Sequence, residues 1–239
     1  MLKNNLFTSL VHRFDRYLQK AWSLFWTFTT KWSQRKTIRL GSDYGGWTLC
    51  PDNIGAKSVI YSVGIGEDIT FDLAVISTYG CPVFAFDPTP RSIEWLKKQE
   101  LPSLFRSFGL GLAGYDGEAT FFPPENPEFV SHTMLGRPET KSSAIIVPVK
   151  KLASIMRDLG HDRIDLLKMD IEGAEYDVID DILSADLNVG QILVEFHHFI
   201  SGIGIFRTIR STIKLILTGY KLFAISKNGN EYSFIKKAS

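Results

Sequence analysis

Four side chains in the second half of the chain have the types needed to move a proton. Asp170 and Glu172 stand in KMDIEGAEYDVI, and Glu195 and His197 in QILVEFHH. A carboxylate beside an imidazole makes a general-base pair, because histidine titrates near neutral pH and the acid can orient its ring. Glu195 and His197 are two residues apart, so an extended strand presents both on one face and turns His198 to the other. The expected catalytic set is therefore His197, Asp170, Glu172 and Glu195, with His197 as the base. Side chains of these types can also ligate a divalent cation, but their spacing matches no dedicated metal motif, and no metal is expected. Glu175, one step into the following helix, is read as stabilising that helix amino terminus.

A second group of residues suits a nucleotide-like ligand. In VIYSVGIGEDITFDLAV an apolar run ends in Gly64 and Gly66, and a helical pattern starts at once. Strand, glycine turn and helix together receive such ligands. A dinucleotide fingerprint needs a third glycine where this chain has Ile69. A nicotinamide-dependent oxidoreductase is thereby disfavoured. Asp87 closes VFAFDPTP, 21 residues past Gly66, where a carboxylate can accept both ribose hydroxyls. Its alternative duty is to cap the helix opening at Pro90.

These residues need elements to position them. TIRLGSDYGGWTLCPDNIG suggests a lead-in hairpin. Strands are expected at Lys57–Val63, Pro82–Phe86, Leu104–Phe108, Ile164–Met169 and QILVEF, with a short extra strand in DGEATFF. Helices are expected at Asp68–Tyr79, Pro90–Gln99, Lys150–Leu159 and Ala174–Leu183. A polar loop from Pro123 to about Ser143 carries His132, which could cover an acceptor. Phe206, Ile209, Ile213, Ile216 and Tyr220 mark one face of a last helix, ended by Gly219. KLFAIS and EYSFIK flank Asn228-Gly229, a tight hairpin turn. The fold class is α/β, a mostly parallel sheet with helices on both faces and a C-terminal antiparallel hairpin. Ligands of such sheets bind outside the carboxyl ends of the strands, where the residues named above fall.

YSVGIGEDITFD, VFAFDPTPRSIEWL, KMDIEGAEYDVI and ILVEFHH, in this order and spacing, resemble the FkbM family of S-adenosylmethionine-dependent methyltransferases. The resemblance runs from about Thr37 to Lys237, and DIEGAE is its most specific part. It implies a Rossmann-like fold of seven strands, S-adenosyl-L-methionine as cofactor, and methylation of a hydroxyl on a sugar, glycan or related small molecule. By the same resemblance Gly64 and Gly66 line the donor's methionine end and Asp87 holds its ribose. Asp68, Leu110 and Asp170 complete the implied cofactor-binding set, with Leu110 beside the adenine.

Charge divides the chain unevenly. Residues 1–40 hold eight Lys/Arg and one acid, Asp15, for a net +7, and the remainder nets −6. The body thus offers no broad basic surface, and nucleic acid is not an expected partner. Residues 1–36 read as a basic amphipathic helical extension, with the methyltransferase domain over 37–239. The extension holds Trp22, Trp26 and Trp32, and suits a membrane interface or self-association. It has no apolar run of the roughly 20 residues that cross a bilayer, and no cleavable leader is expected. Cys50 and Cys81 read as small buried hydrophobes of a reducing, cytoplasmic environment. A non-catalytic module binding through the extension is the reading from another functional class.

Overall fold

The structure is a computed structural model that describes residues 17, 18, 20–22, 35–123, 143–200 and 202–237. A short antiparallel pair, β1 (Ile38–Leu40) and β2 (Trp47–Leu49), leads in. Next come β3 (Ile60–Val63), α1 (Thr70–Tyr79), β4 (Val83–Phe86), α2 (Pro90–Leu96) and β5 (Phe105–Phe108). Three short strands, β6 (Gly111–Leu112), β7 (Gly117–Phe121) and β8 (Ile145–Lys150), precede α3 (Leu152–Leu159). The chain continues through β9 (Ile164–Met169), α4 (Glu175–Ser184), β10 (Val189–Glu195) and α5 (Ile205–Leu217). It closes with the hairpin β11 (Tyr220–Ile225) and β12 (Glu231–Lys236).

Seven strands form the main sheet in the order β11-β12-β10-β9-β3-β4-β5. The central pairs run parallel, and β12 lies antiparallel to both of its neighbours. The central strands are short apolar runs buried on both faces, as parallel strands under two helical layers require. Alternation divides their side chains between two cores. Tyr61 and Val63 face a core built with α3, α4 and α5, whereas Ile60 faces one built with α1, α2 and the β1–β2 pair.

Register sets the site. Val63 pairs with both Phe86 and Met169, and Met169 also pairs with Val194. The next residues along four adjacent strands are Glu195, Asp170, Gly64 and Asp87, side by side at one level of the carboxyl edge.

Two expectations are corrected. The strand β8 was missing from the sequence reading, as was the separate sheet it forms between β6 and β7. On α5 the expected apolar face is turned only partly inward: Phe206 is 61% exposed and Ile213 is exposed, whereas Ile209 and Ile216 are half-buried. The helix packs inward through Ile205, Thr208, Ser211, Thr212 and Leu215. Small hydroxyl side chains let its backbone approach the sheet, and a count of apolar residues alone overlooks them. Tyr220 belongs to β11 and is buried there. Both cysteines are free and buried. The expected role of His132, and most of the extension 1–36, lie outside the described residues. Trp22 is described, and packs partly buried against the main core.

Candidate active site

The turn after β3 requires glycine twice. Gly64 has φ +78°, and a β-carbon there would lie 1.7 Å from the carbonyl oxygen of Asp170. Gly66 has φ +57°, but a β-carbon there would meet no protein atom within 4 Å. Gly64 lets two strand ends touch, and Gly66 leaves open space above the turn.

Three tethers fix that turn. Gly64 N donates to Phe86 O at 2.9 Å. The buried Lys168 donates from Nζ to the Gly64 carbonyl, and its ammonium lies 5.5 Å from the centre of the Trp47 ring. Asp87 Oδ2 accepts from Ile65 N at 3.1 Å and Gly66 N at 2.9 Å. Its Oδ1 accepts from Thr89 N at 2.9 Å and Thr89 Oγ1 at 2.6 Å, next to the start of α2. A carboxylate has about four lone-pair sites, so these bonds fill Asp87. In this structure it clamps the donor turn to the head of α2.

The acids and histidine gather at the ends of β9 and β10. Glu175 accepts from Ile171 N and Gly173 N, each at 3.1 Å, and from His197 Nδ1 at 2.7 Å. It is wholly buried, and His197 is 2% exposed. With Nδ1–H directed to Glu175, His197 Nε2 faces Asp170 Oδ1 and Glu172 Oε2, each 3.5 Å away. Glu172 reaches this position from a left-handed backbone, φ +53°. Burial would lower the histidine's pKa, but Glu175, Glu172 and Asp170 outweigh it and raise it to about 10. Glu195 is raised to about 7 by burial and then by Asp170. His198 turns away to Thr208 Oγ1 at 3.2 Å, and burial followed by His197 lowers it to about 4.

Other expected residues have different neighbours. Asp68 Oδ1 accepts from Thr70 N and Oγ1, and Oδ2 from Ser42 Oγ, so it ties the start of α1 to the β1–β2 loop. Glu67 pairs with Arg91 through Nε at 2.8 Å. Leu110 is a partly buried residue against the main core. Sequence reasoning missed Glu175 as the holder of His197, and Lys168 as the support of the turn. A lysine inside the apolar run IDLLKM was the available signal for Lys168.

This strand order, with a single reversed strand between the fifth and sixth of the main sheet, defines a class I methyltransferase fold. The chain belongs to the FkbM methyltransferase family: the family model, described as the methyltransferase FkbM domain, matches residues 53–232. Family and strand order are thus those of methyltransferases. Two curated relatives are the probable methyltransferase-like protein 24 of Homo sapiens, 27% identical over 161 residues, and of Rattus norvegicus, 29% identical over 161 residues. Each match spans 63% of this chain and 38% of the relative's length. Among solved structures, a Methanococcus jannaschii fibrillarin pre-rRNA processing protein aligns with TM-score 0.46 and 11% identity, over 86% of this chain and 84% of that one.

The residues present fit the methyl donor. The space above Gly66 is where a ligand can lie against the turn, next to the end of β9, where the Asp170 backbone meets Gly64. No helix among the described residues is long and apolar enough to cross a membrane.

Proposed function

We propose that this methyltransferase acts on oxygen, at a hydroxyl of a sugar, glycan or related small molecule. The carrying observation is that the donor turn and the acid–histidine cluster adjoin, Gly64 touching Asp170 and Glu195 lying level with Asp170. When bound, S-adenosylmethionine supplies an electrophilic methyl whose carbon–sulfur bond breaks toward sulfur as the acceptor oxygen attacks. The chain's own work is to hold that oxygen in line and remove its proton. Positioning can contribute about 7–11 kcal/mol, and assisted proton removal typically ~10²–10⁴-fold. Asp170, Glu172, Glu195 and His197 are the residues assigned to the proton, and Gly64 and Gly66 to the donor, with Asp87 acting on the donor through the turn it clamps.

The net −6 outside residues 1–40 supports a small acceptor over nucleic acid, whose phosphates attract clustered Lys and Arg. The choice of a sugar hydroxyl follows the FkbM resemblance. Transfer from a methyl-labelled donor to a panel of sugars and glycans tests the reading. A product labelled on oxygen is expected; label appearing only on nitrogen or carbon of other acceptors would refute it. Residues 1–36 form the extension beyond this domain and are proposed to rest on an anionic membrane surface, on the cytoplasmic side.

A further inference from the structure

We propose that Asp170, Glu172 and His197 form a divalent-cation site beside the donor turn, a reading that rests on the methyltransferase function above. One oxygen from each acid and one ring nitrogen lie within 4.8 Å of one another. Nε2 of His197 stands 3.5 Å from both Asp170 Oδ1 and Glu172 Oε2. Charge-assisted hydrogen bonds between such groups are shorter, about 2.7–2.9 Å. Two atoms each about 2.0–2.2 Å from a shared ion, at angles of about 90–110°, stand roughly 3.0–3.5 Å apart. The two nitrogen–oxygen spacings at His197 are thus those of ligands around a common centre.

A second observation concerns the histidine alone. His197 is 2% exposed, and its Nδ1 is committed to Glu175, which is wholly buried and held by the amides of Ile171 and Gly173. A carboxylate behind a metal-bound histidine does this work: it fixes the tautomer and aims the other nitrogen at the ion. Here that nitrogen is aimed between the two remaining carboxylates. Glu175 is a positioning residue in this arrangement and His197 a ligand.

Two carboxylates and a neutral imidazole carry −2, which matches a divalent ion. A mixed oxygen and nitrogen set suits manganese or zinc better than calcium. Three protein ligands leave coordination positions open, and the site borders Gly64 through Asp170. An acceptor hydroxyl bound there loses its proton more readily, and the proton passes to solvent. This gives a route to the alkoxide that needs no free histidine base.

The test is cation binding, measured apart from methyl transfer. The full chain, freed of metal by chelator and dialysis, is titrated with MnCl₂, with free Mn²⁺ followed by electron paramagnetic resonance, and separately with zinc by calorimetry. One saturable site is expected for at least one of the two ions. His197→Ala and Asp170→Asn should each weaken it at least tenfold, and Glu175→Gln by about 10–100-fold, with circular dichroism and thermal melts showing that each variant is folded. No saturable binding of either ion by the folded wild-type chain overturns the proposal, whatever the variants do. So does unchanged affinity in folded His197→Ala and Asp170→Asn. Chelator-resistant turnover by a chain that binds neither ion would discard the cation and leave the methyltransferase reading standing.

Discussion

His197 and Glu175 share a 2.7 Å hydrogen bond across 22 residues of sequence, with almost none of either side chain open to solvent. Removing the carboxylate leaves two turn amides and a buried ring without their acceptor. Breaking a buried charged pair from one side costs about 3–5 kcal/mol. Glu175→Ala should show a loss of that size in urea unfolding. A loss under about 1 kcal/mol would mean that the bond contributes little to holding the strand ends together.

The two glycines of the donor turn should respond differently to alanine. At Gly64 the new carbon would collide with the backbone of Asp170, so Gly64→Ala is expected to lower the melting temperature sharply and abolish donor binding. At Gly66 the protein leaves room, so Gly66→Ala should fold, at about 1–2 kcal/mol for the left-handed backbone. Its methyl group would occupy ligand space, and calorimetry should find donor affinity reduced. Unchanged affinity in Gly66→Ala would move the donor off this turn.

Asp87 holds the turn and the head of α2 together, so its loss should be felt twice. Asp87→Ala should lower stability by about 1.5–3 kcal/mol, the range for a hydrogen bond to a charged group, and weaken the donor in parallel. Thermal melts and donor titration on one preparation compare the two effects. Reduced stability with full donor affinity would confine Asp87 to the clamp.

Acid should erode one cap in a defined window. Asp116 accepts from Ser154 Oγ at 2.6 Å and Lys151 N at 2.8 Å, at the start of α3. The bond from Ser154 and then that from Lys151 hold its carboxyl below the usual aspartate value. A lowered folded pKa means that its contribution is complete above the unfolded value, about 3.9, and fades as pH falls through the lower folded value. The urea midpoints of wild type and Asp116→Asn should therefore differ at pH 7 and converge below about pH 3.9. A gap that persists in strong acid would assign the effect to another group.

Deleting residues 1–36 should abolish co-sedimentation with anionic vesicles and leave donor affinity intact, since net +7 over residues 1–40 favours such surfaces. A full-length chain that ignores anionic vesicles, and dimerises only with this segment present, would make the segment a subunit interface.

Much of the scaffold could be read before folding because its signals are local. Buried parallel strands such as IYSV and VFAF are short, mostly apolar runs, and the Asn228-Gly229 turn marks the final hairpin. Strand β8 escaped because Pro148 interrupts IIVPVK and its residue types do not alternate between apolar and polar, although their burial does. The inward face of α5 escaped because threonine and serine make the contact. Asp170, Glu172, Glu195 and His197 could be grouped by rule, since they follow strand ends. The bond from Glu175 to His197 could not, because only the parallel register of β9 and β10 brings them together.

The donor turn has few polar backbone groups left to offer. The amides of Gly64, Ile65 and Gly66 point to Phe86 and Asp87, and the carbonyls of Gly64 and Ile65 accept from Lys168 and Asp68. What the turn shows to a visitor is therefore mostly its Cα hydrogens, a smooth wall instead of a row of hooks. A molecule resting there is selected by contour, and a single added methyl on the wall reshapes the mould without breaking a bond.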